Sequence, residues 1–397
     1  MFMNLRLLAA IATAFFGVSS LNCLWAEEID HTVGVHYYPW YSDDFHGGQY
    51  LRQRLLPAQL PVLGEYNDRE QSTISAHLDW SRRTGIDFWS ASWWGPDSRE
   101  DITLQAHIFP HPELKDFKIA IHYETVGRTS EFTDYSNIGP DFSYLAEHYF
   151  GHKNYLKIDG NPVVIVYLTR VLSSLGTLQS SLNAMREATD AAGYELYIMG
   201  DEVFGGAPPL PGNIALLDGI MNYDVYGSMS AHGYAGQAAV DAYYAEQAQW
   251  KALADSVGTD YAPAVTPGFN DKAVREGNNP VSRQLTEEGE FGSLFRAMLQ
   301  GARQLTDPDI GHMILVTSWN EWHEDTQIEP VCPADPTSQD DSASGTDLTQ
   351  GLAYEGYATR YLGILHEETS QTIFADGFES RDTAGFICDL TPVIESK

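Results

Sequence analysis

The stretch Met313-Ile-Leu-Val-Thr-Ser-Trp-Asn-Glu-Trp-His-Glu324 passes from an apolar run directly into a polar and aromatic cluster. Its first four residues are typical of a buried strand, and the loop that follows carries Glu321 and Glu324 among tryptophans. A buried strand that ends in such a cluster indicates a site at the strand end, as in α/β barrels. The alternative is that these polar residues only cap the next helix.

Other apolar runs of similar length occur along the chain, and helical patterns separate most of them. Such an order predicts parallel strands joined by right-handed crossovers, and eight strands are the number in a closed (β/α)8 TIM barrel. The alternative is an open doubly wound sheet, which usually has fewer strands and a glycine-rich turn after the first. Strands are predicted at 33–38, 87–93, 117–124, 163–168, 195–200, 217–223, 261–265 and 313–316, and helices near 70–83, 175–192, 237–256, 289–304 and 352–368.

Polar and aromatic residues follow nearly every predicted strand. In a barrel the chemistry lies at the carboxyl ends of the strands, so one pocket lined by these loops is the simplest interpretation. The strand-end groups are Tyr38-Pro-Trp-Tyr41, Trp93-Trp94, His122-Tyr-Glu124, Asp201-Glu202, Tyr223-Asp224, Asn270-Asp271 and Asn320-Glu321.

Glu321 and Glu324 are three residues apart, so a helical turn would place both carboxyl groups on one face. Crowded carboxyl groups shielded by indole rings should have pKa values pushed apart, which leaves one of them protonated near neutral pH. Cleavage of a glycosidic bond uses such a pair: one group protonates the departing oxygen, and the other manages charge and protons on the sugar. We therefore predict both as catalytic, and Glu329 as structural.

Several other side chains are suited to binding a sugar. His122 and Glu124 alternate along a strand and so face the same side, where they are suited to hold hydroxyl groups; the alternative is a hydrogen-bonded pair in the barrel core. Trp40, Tyr41 and Trp94 offer flat apolar faces to sugar C–H surfaces, although core packing is the usual role of a single ring.

The composition excludes some classes of ligand. The formal net charge is −32, from 55 acidic and 23 basic residues, which argues against nucleic acid and anionic membrane surfaces. No metal site is predicted, because His323-Glu324 lacks the second histidine of a zinc helix. No phosphate loop stands out, and no cofactor is predicted. No Ser-His-Asp order typical of nucleophilic catalysis stands out either.

Residues 1–26 have the pattern of a secretory signal peptide, with Arg6, an apolar run over 7–21 and small residues before a cut near Ala26. The apolar run is too short to span a bilayer comfortably, so no membrane insertion is predicted and the protein is expected to be secreted or periplasmic. Residues 27–370 are predicted to form one catalytic domain and 371–397 a C-terminal tail. A monomer is expected.

After removal of the signal segment two cysteines remain, Cys332 and Cys388. In an oxidising compartment such a pair is predicted to form a disulfide; the alternative is two unpaired thiols. The segment 333–349 is rich in Ser, Asp, Thr and Gly and is predicted to be mobile or disordered.

The chain resembles glycoside hydrolase family 99, the endo-acting α-mannosidases, in a series of motifs that follow the family's order. They include Tyr37-Tyr-Pro-Trp-Tyr41, Leu63-Gly-Glu-Tyr66, Ser92-Trp-Trp94, His122-Tyr-Glu124 with Arg128, Asp218-Gly-Ile220 with Tyr223, Pro267-Gly-Phe-Asn-Asp271 and Ser318-Trp-Asn-Glu-Trp-His-Glu324 through Thr326-Gln-Ile-Glu-Pro330.

This resemblance implies a (β/α)8 barrel, retention of the anomeric configuration and no metal requirement. It implies that Glu321 acts as a base on the sugar 2-hydroxyl, giving a 1,2-anhydro intermediate, and that Glu324 is the acid/base. It also implies that Tyr41, His122, Glu124 and Tyr223 line the sugar subsites. The chain departs from the family pattern at Asp325, where glycine is usual, at Met221, and after the first strand, where His46 partly replaces a His-Trp pair.

We therefore expect a secreted retaining glycoside hydrolase that cleaves internal α-linkages in mannose-containing polysaccharide or glycan. The alternatives are a non-catalytic carbohydrate-binding barrel and a glycosidase of another linkage that uses a carboxylate nucleophile. The expected substrate contacts are Trp40, Tyr41, Trp94, His122, Glu124, Tyr223, Asn320, Trp322 and His323.

Overall fold

The structure is a computed structural model that describes residues 29–206, 211–229, 232–370 and 388. The predicted signal segment 1–26, and the predicted tail 371–397 apart from Cys388, lie outside the described residues.

Eight parallel strands form a nearly closed barrel, which confirms the predicted fold. Their apolar and β-branched residues are buried along nearly the whole length of each strand, because helices cover the outer face and side chains fill the interior. The strands are β1 Val33–Tyr37, β2 Phe88–Trp93, β3 Lys118–Tyr123, β4 Asn161–Val166, β5 Tyr197–Asp201, β6 Gly219–Met221, β7 Asp260–Tyr261 continuing as Ala264–Val265, and β8 Ile314–Val316. Each lies within about three residues of its predicted position.

The barrel closes through β7 and β8. The first half of β7 pairs with β6 and its second half pairs with β8, while β8 pairs in turn with β1. Pro263 separates the two halves and has no N–H to offer a ladder, but its carbonyl accepts a hydrogen bond from the backbone N–H of Leu315 (3.0 Å). At this interruption β7 changes its pairing from β6 to β8, and the barrel stays closed.

Helices follow most strands and cover the barrel. The helix after the first strand ends at Gly85, whose φ of 85° and backbone N–H bonds to Ser81 and Arg82 form a C-terminal cap. The helices are α1 Gln71–Thr84, α2 Arg99–Thr103, α3 Thr125–Arg128, α4 Ile138–His148, α5 Thr169–Ser174, α6 Leu178–Ala191, α7 Pro211–Ile214, α8 Val225–Ser228, α9 Gly236–Val257, α10 Ser293–Ala302 and α11 Arg360–Thr369, with a π-helical turn at Leu104–Ile108 and 3₁₀ turns at Leu51–Arg54, Pro112–Leu114, Pro308–Ile310 and Trp322–Glu324.

Two predictions near the end of the chain are wrong. The helix expected at 352–368 begins only at Arg360, because Tyr354–Ala358 is a strand (β10) that pairs antiparallel with Val331–Thr337 (β9). The segment 333–349, which was expected to be mobile or disordered, is part of the ordered fold because this hairpin includes it. Its loop is fixed by Asp340, a buried carboxylate that accepts hydrogen bonds from the backbone N–H groups of Ser342, Leu348 and Thr349 (2.8–2.9 Å).

Within the described part of the chain, none of the helices combines the length and the apolar character that crossing a bilayer requires. Cys332, at the start of the β9–β10 hairpin, is joined to Cys388 by a disulfide bond, with the two Cα atoms 5.7 Å apart. The bond ties a residue of the tail to the element that follows the predicted catalytic loop.

Close packing between β1 and β2 gives a test of the barrel. A Cβ atom at Gly34 would come within 2.1–2.6 Å of three carbons of the Phe88 ring, which is fully buried. We expect Gly34→Ala to lower the free energy of unfolding by about 1–3 kcal/mol, the usual cost of overpacking a core. The control is Gly139→Ala near the start of α4, where nothing lies within 4 Å of the added atom. Denaturant unfolding that shows equal stability for both variants would contradict this packing.

Candidate active site

A cavity of about 630 Å³ opens at the carboxyl ends of the barrel strands. It brings Glu321 and Glu324 together with six of the predicted substrate contacts, and loops after seven of the eight strands contribute to its wall. The lining residues are Tyr38, Trp40, His46, Gly47, Gly48, Gln49, Trp94, His122, Glu124, Val126, Tyr167, Tyr223, Val274, Arg275, Glu321, His323 and Glu324.

A 3₁₀ turn at Trp322–Glu324 directs both glutamates into this cavity. Glu321 precedes the turn and caps it, since its Oε1 accepts a hydrogen bond from the backbone N–H of His323 (3.0 Å). The backbone N–H of Glu321 donates to Ser318 Oγ (2.8 Å), which fixes the exit from β8. The predicted helical turn is therefore present, in its tighter form.

Tyr41, Asn320 and Trp322 lie beneath the cavity, and each is completely buried. Tyr41 donates its hydroxyl hydrogen to the Asn320 carbonyl (2.6 Å) and accepts one from the Trp322 backbone N–H (3.2 Å). The Asn320 side chain bonds both the N–H and the carbonyl of Tyr38 (2.8 and 3.1 Å). The structure thus places these three predicted substrate contacts below the cavity wall, and not among the residues that line it, where their hydrogen bonds hold the loop that carries both glutamates.

Some strand-end acids also support the site from outside the cavity. Asp201 accepts a hydrogen bond from the backbone N–H of Tyr223 (2.9 Å) and binds Arg170. Glu329 is fully buried and accepts hydrogen bonds from Tyr66 Oη and Trp322 Nε1 (2.8 and 2.9 Å), with His77 Nε2 at 2.9 Å. These contacts give Glu329 a structural position under the loop.

Glu324 is held by two partners. Arg275 Nη1 donates to its Oε1 (2.8 Å), and Tyr226 Oη donates to its Oε2 (3.2 Å). Burial and the charge of Glu321 raise the pKa of Glu324 to about 7, although Arg275 opposes the rise. A carboxyl group with this pKa is partly protonated at neutral pH, which is the state a general acid needs.

Glu321 has a different environment, because His323 lies next to it. His323 Nδ1 is 3.6 Å from Glu321 Oε1, and His323 Nε2 is 3.0 Å from the Gly48 carbonyl. Burial lowers the pKa of His323, but the neighbouring Glu321 carboxylate outweighs this effect and raises it above its usual value. The two glutamates therefore differ in their neighbours: His323 lies beside Glu321, whereas Arg275 and Tyr226 contact Glu324.

His122 and Glu124 both line the cavity, with Nε2 and Oε1 3.9 Å apart. Burial lowers the pKa of His122 to about 3 and raises the pKa of Glu124 to about 8, with the charge of Glu321 adding to the second effect. Glu124 Oε1 accepts a hydrogen bond from Ser92 Oγ (2.7 Å), which also accepts one from Trp94 Nε1 (2.9 Å). At neutral pH both groups are uncharged, which suits hydrogen bonds to hydroxyl groups.

Some cavity residues were not named as substrate contacts from the sequence. Tyr38 was placed only in a strand-end group expected to line the pocket; it follows β1 directly, and its hydroxyl bonds that of Tyr223. Tyr167 has no motif around it. Arg275 stands four residues after Asp271, and this spacing is typical of a local ion pair, but nothing in the sequence points to Glu324 as its second partner.

Asp325, where the resemblance leads one to expect glycine, has a left-handed backbone with φ of 50°. Its carboxylate binds Arg52 and Arg283, and all three side chains are buried. Burial opposes its ionisation, but the two arginines outweigh this effect and hold the pKa of Asp325 below its usual value. Its charge is thus directed away from the cavity and neutralised there.

The model of the family described as glycosyl hydrolase family 99 matches residues 10–342. The chain belongs to this family. It is similar to proteins named glycoprotein endo-alpha-1,2-mannosidase from Mus musculus, 24% identical over 77% of this chain and 63% of that protein, and from Rattus norvegicus, 26% identical over 79% of this chain and 71% of that protein. The chain thus spans less than two thirds of the length of the mouse relative.

Among solved structures, a family 99 endo-alpha-mannosidase from Bacteroides thetaiotaomicron matches with a TM-score of 0.59 and 18% identity, over 86% of this chain and 96% of that one. A protein described as glycoside hydrolase-like matches with a TM-score of 0.55 and 20% identity, over 87% of this chain and 95% of that one. At these identities the similarity establishes the barrel fold.

The buried ion cluster beside the catalytic loop gives a second test. We expect Asp325→Asn to lower the free energy of unfolding by about 3–5 kcal/mol, because it leaves two buried guanidinium groups without their carboxylate. The matched control is Asp341→Asn, which removes an exposed partner of Arg54 and should cost about 1 kcal/mol or less. The comparison is made by denaturant unfolding, and equal losses in the two variants would show that the cluster adds no more than a surface pair.

Proposed function

We propose that the protein is a retaining glycoside hydrolase that cleaves internal α-linkages in mannose-containing polysaccharide or glycan. The observation that carries the proposal is the Glu321–Glu324 pair, which lies in one cavity walled by aromatic rings. Family membership supports hydrolysis of a glycosidic bond. The α-mannose linkage and internal cleavage are supported by the names of the relatives.

In the proposed reaction Glu324 protonates the departing glycosidic oxygen while Glu321 removes the proton of the sugar 2-hydroxyl. The 2-oxygen then attacks the anomeric carbon as the bond to the leaving group breaks, which gives a 1,2-anhydro sugar. Glu324, now ionised, takes a proton from a water molecule whose oxygen attacks the anomeric carbon, and Glu321 returns its proton to the 2-oxygen as the ring opens. Two inversions at one carbon give net retention.

The uncharged pair His122 and Glu124 and the hydroxyl groups of Tyr38 and Tyr223 are proposed to hold the sugar hydroxyls. Trp40 and Trp94, which both line the cavity, are proposed to offer their rings to sugar C–H surfaces. His46 stacks on Trp40 with ring centroids 4.5 Å apart and extends that surface.

A purely binding barrel is the second candidate, and the buried carboxyl pair argues against it. Binding of neutral hydroxyl groups does not require two carboxyl groups in one turn, where each raises the cost of ionising the other. A glycosidase with a carboxylate nucleophile is the third candidate, and it differs from the proposal in forming a covalent sugar ester on Glu321.

We also propose that the protein is secreted or periplasmic and that it acts as a monomer. The pattern of residues 1–26 supports export. The disulfide between Cys332 and Cys388 is consistent with an oxidising compartment.

The proposal is tested by digesting a panel of α- and β-linked mannans, glucans and N-glycans and reading the anomer of the first product by NMR. We expect internal cleavage of an α-mannosidic substrate with the α-anomer formed first. Glu324→Gln and Glu321→Gln should each lower kcat by about 10²–10⁴, the usual contribution of a positioned acid or base, with little loss of glycan affinity.

Glu113→Gln serves as the control, because Glu113 is an exposed partner of Lys115 far from the cavity wall. Unchanged turnover in Glu324→Gln would contradict the assignment of the acid. A β-anomeric first product would contradict retention, and a sugar trapped covalently on Glu321 would favour the third candidate.

The pH dependence follows from the state of the acid. Glu324 must carry a proton to act, and its pKa is about 7, so kcat/KM should fall as the pH rises through about 7. Glu124 has a pKa of about 8 and also loses a proton on the basic side. Glu124→Gln, which keeps a neutral group there, should leave the first limb in place; its disappearance in that variant would assign the limb to Glu124.

A further inference from the structure

Arg275 lies in the wall of the cavity and contacts the proposed acid directly. It follows β7 on a loop that begins at Asp271, and the neighbouring Val274 is 43% exposed and also lines the cavity. The Arg275 side chain is 58% exposed, whereas Glu324 is buried. The contact therefore joins the exposed side chain of Arg275 to the buried side chain of Glu324.

Both oxygens of Glu324 already have donors in the empty site. Arg275 Nη1 is 2.8 Å from Oε1, and Tyr226 Oη is 3.2 Å from Oε2. A glycosidic oxygen that is to receive a proton from Glu324 has to approach one of these two oxygens, where it competes for space with the donor already there. Such competition would displace the donor that is held less firmly.

Packing decides which contact opens. The Tyr226 ring stacks on Phe269 with centroids 3.6 Å apart, so moving its hydroxyl would disturb a packed pair. The exposed guanidinium of Arg275 has no such restraint, and it has a second carboxylate within reach. Asp271 Oδ2 lies 3.2 Å from the same Nη1 and is held by Asn278 Nδ2 (2.7 Å).

Asp271 is 1% exposed and so is a fixed anchor. An arginine that leaves Glu324 can therefore keep an ion pair through Asp271 with a small rotation. We propose that Arg275 is a substrate-displaced counter-ion: it favours the ionised form of Glu324 until a glycan binds, and the glycan then takes its place on Oε1. The carboxyl group then takes up one proton from solvent and becomes the acid.

This inference rests on the proposed function, and the surrounding charges bear on it. The hydrogen bond and the charge of Arg275 lower the pKa of Glu324, against burial and Glu321, which raise it. Loss of the guanidinium from Oε1 therefore favours the protonated form. The titratable groups that face Glu324 from the surrounding elements are Glu321 and His323 on its own loop, Asp271 and Arg275 after β7, Tyr223 and Tyr226 after β6, Tyr38 after β1, Glu124 after β3 and Tyr167 after β4.

The first experiment does not depend on activity. Full-length protein labelled with [δ-13C]glutamate is titrated by NMR without glycan, and Glu324→Gln identifies the Glu324 signal. Arg275→Gln is expected to raise the pKa of Glu324 by about 1 unit, as loss of a neighbouring opposite charge does. Arg275→Lys, which keeps the charge, should shift it less. An unchanged pKa in Arg275→Gln would overturn the proposal.

Arg296→Gln is the matched control, because Arg296 is a partly exposed arginine that pairs with Glu367 and Glu368 on α11, away from the cavity. Its Glu324 signal should titrate as in the wild type. Thermal unfolding of all variants checks that each is folded.

The second experiment uses the glycan that the panel identifies. In Arg275→Gln the basic limb of kcat/KM should move to higher pH by the same amount as the NMR pKa. A uniform loss of kcat/KM at every pH, with the limb in place, would mean a merely structural role and would overturn the proposal. If wild-type protein cleaves no glycan in the panel, the proposed function fails, and the NMR titration still decides whether Arg275 controls Glu324.

Discussion

Two carboxyl groups in a single turn repel each other, and burial removes the water that would screen their charges. The turn at Trp322–Glu324 imposes this arrangement on Glu321 and Glu324. Other residues of the site supply a polar partner to each of the two carboxyl groups. His323 lies beside one carboxyl group, and Arg275 and Tyr226 lie on the other. His323 belongs to the turn itself, whereas Tyr226 and Arg275 come from the loops after β6 and β7, so the closed barrel brings these partners to Glu324.

A second layer beneath the cavity keeps the turn from relaxing. Tyr41 and Asn320 fix its backbone through hydrogen bonds to each other and to Tyr38. Glu329 receives an indole N–H from Trp322. These groups are fully buried and have fixed partners.

The sequence was sufficient for the barrel because each strand is a short apolar run buried on both faces, a pattern that needs no knowledge of its neighbours. It was also sufficient to place Glu321 and Glu324 together in one cavity, because both follow the same buried strand within one turn. It failed at Tyr354–Ala358, whose strand depends on pairing with Val331–Thr337 about twenty residues earlier, across a loop of disordered composition. Asp340 orders that loop by local backbone hydrogen bonds, which composition does not reveal.

Sequence reasoning also could not separate the residues that line the cavity from those that lie beneath it. Tyr41, Asn320 and Trp322 have the residue types of a sugar subsite, and only three-dimensional packing places them below the surface.

Asp325 follows Glu324 directly in the chain, yet its carboxylate is bound by two arginines. Its position requires a left-handed backbone, which glycine adopts freely and aspartate tolerates better than most residues. The side chain then reaches Arg52 and Arg283, which lie near the rings of Tyr357 and, for Arg283, also Tyr361. The aspartate thus changes the interior behind the turn, where it links the turn to the region of β10 and α11. The backbone path that delivers Glu324 to the cavity is the one that glycine would also allow.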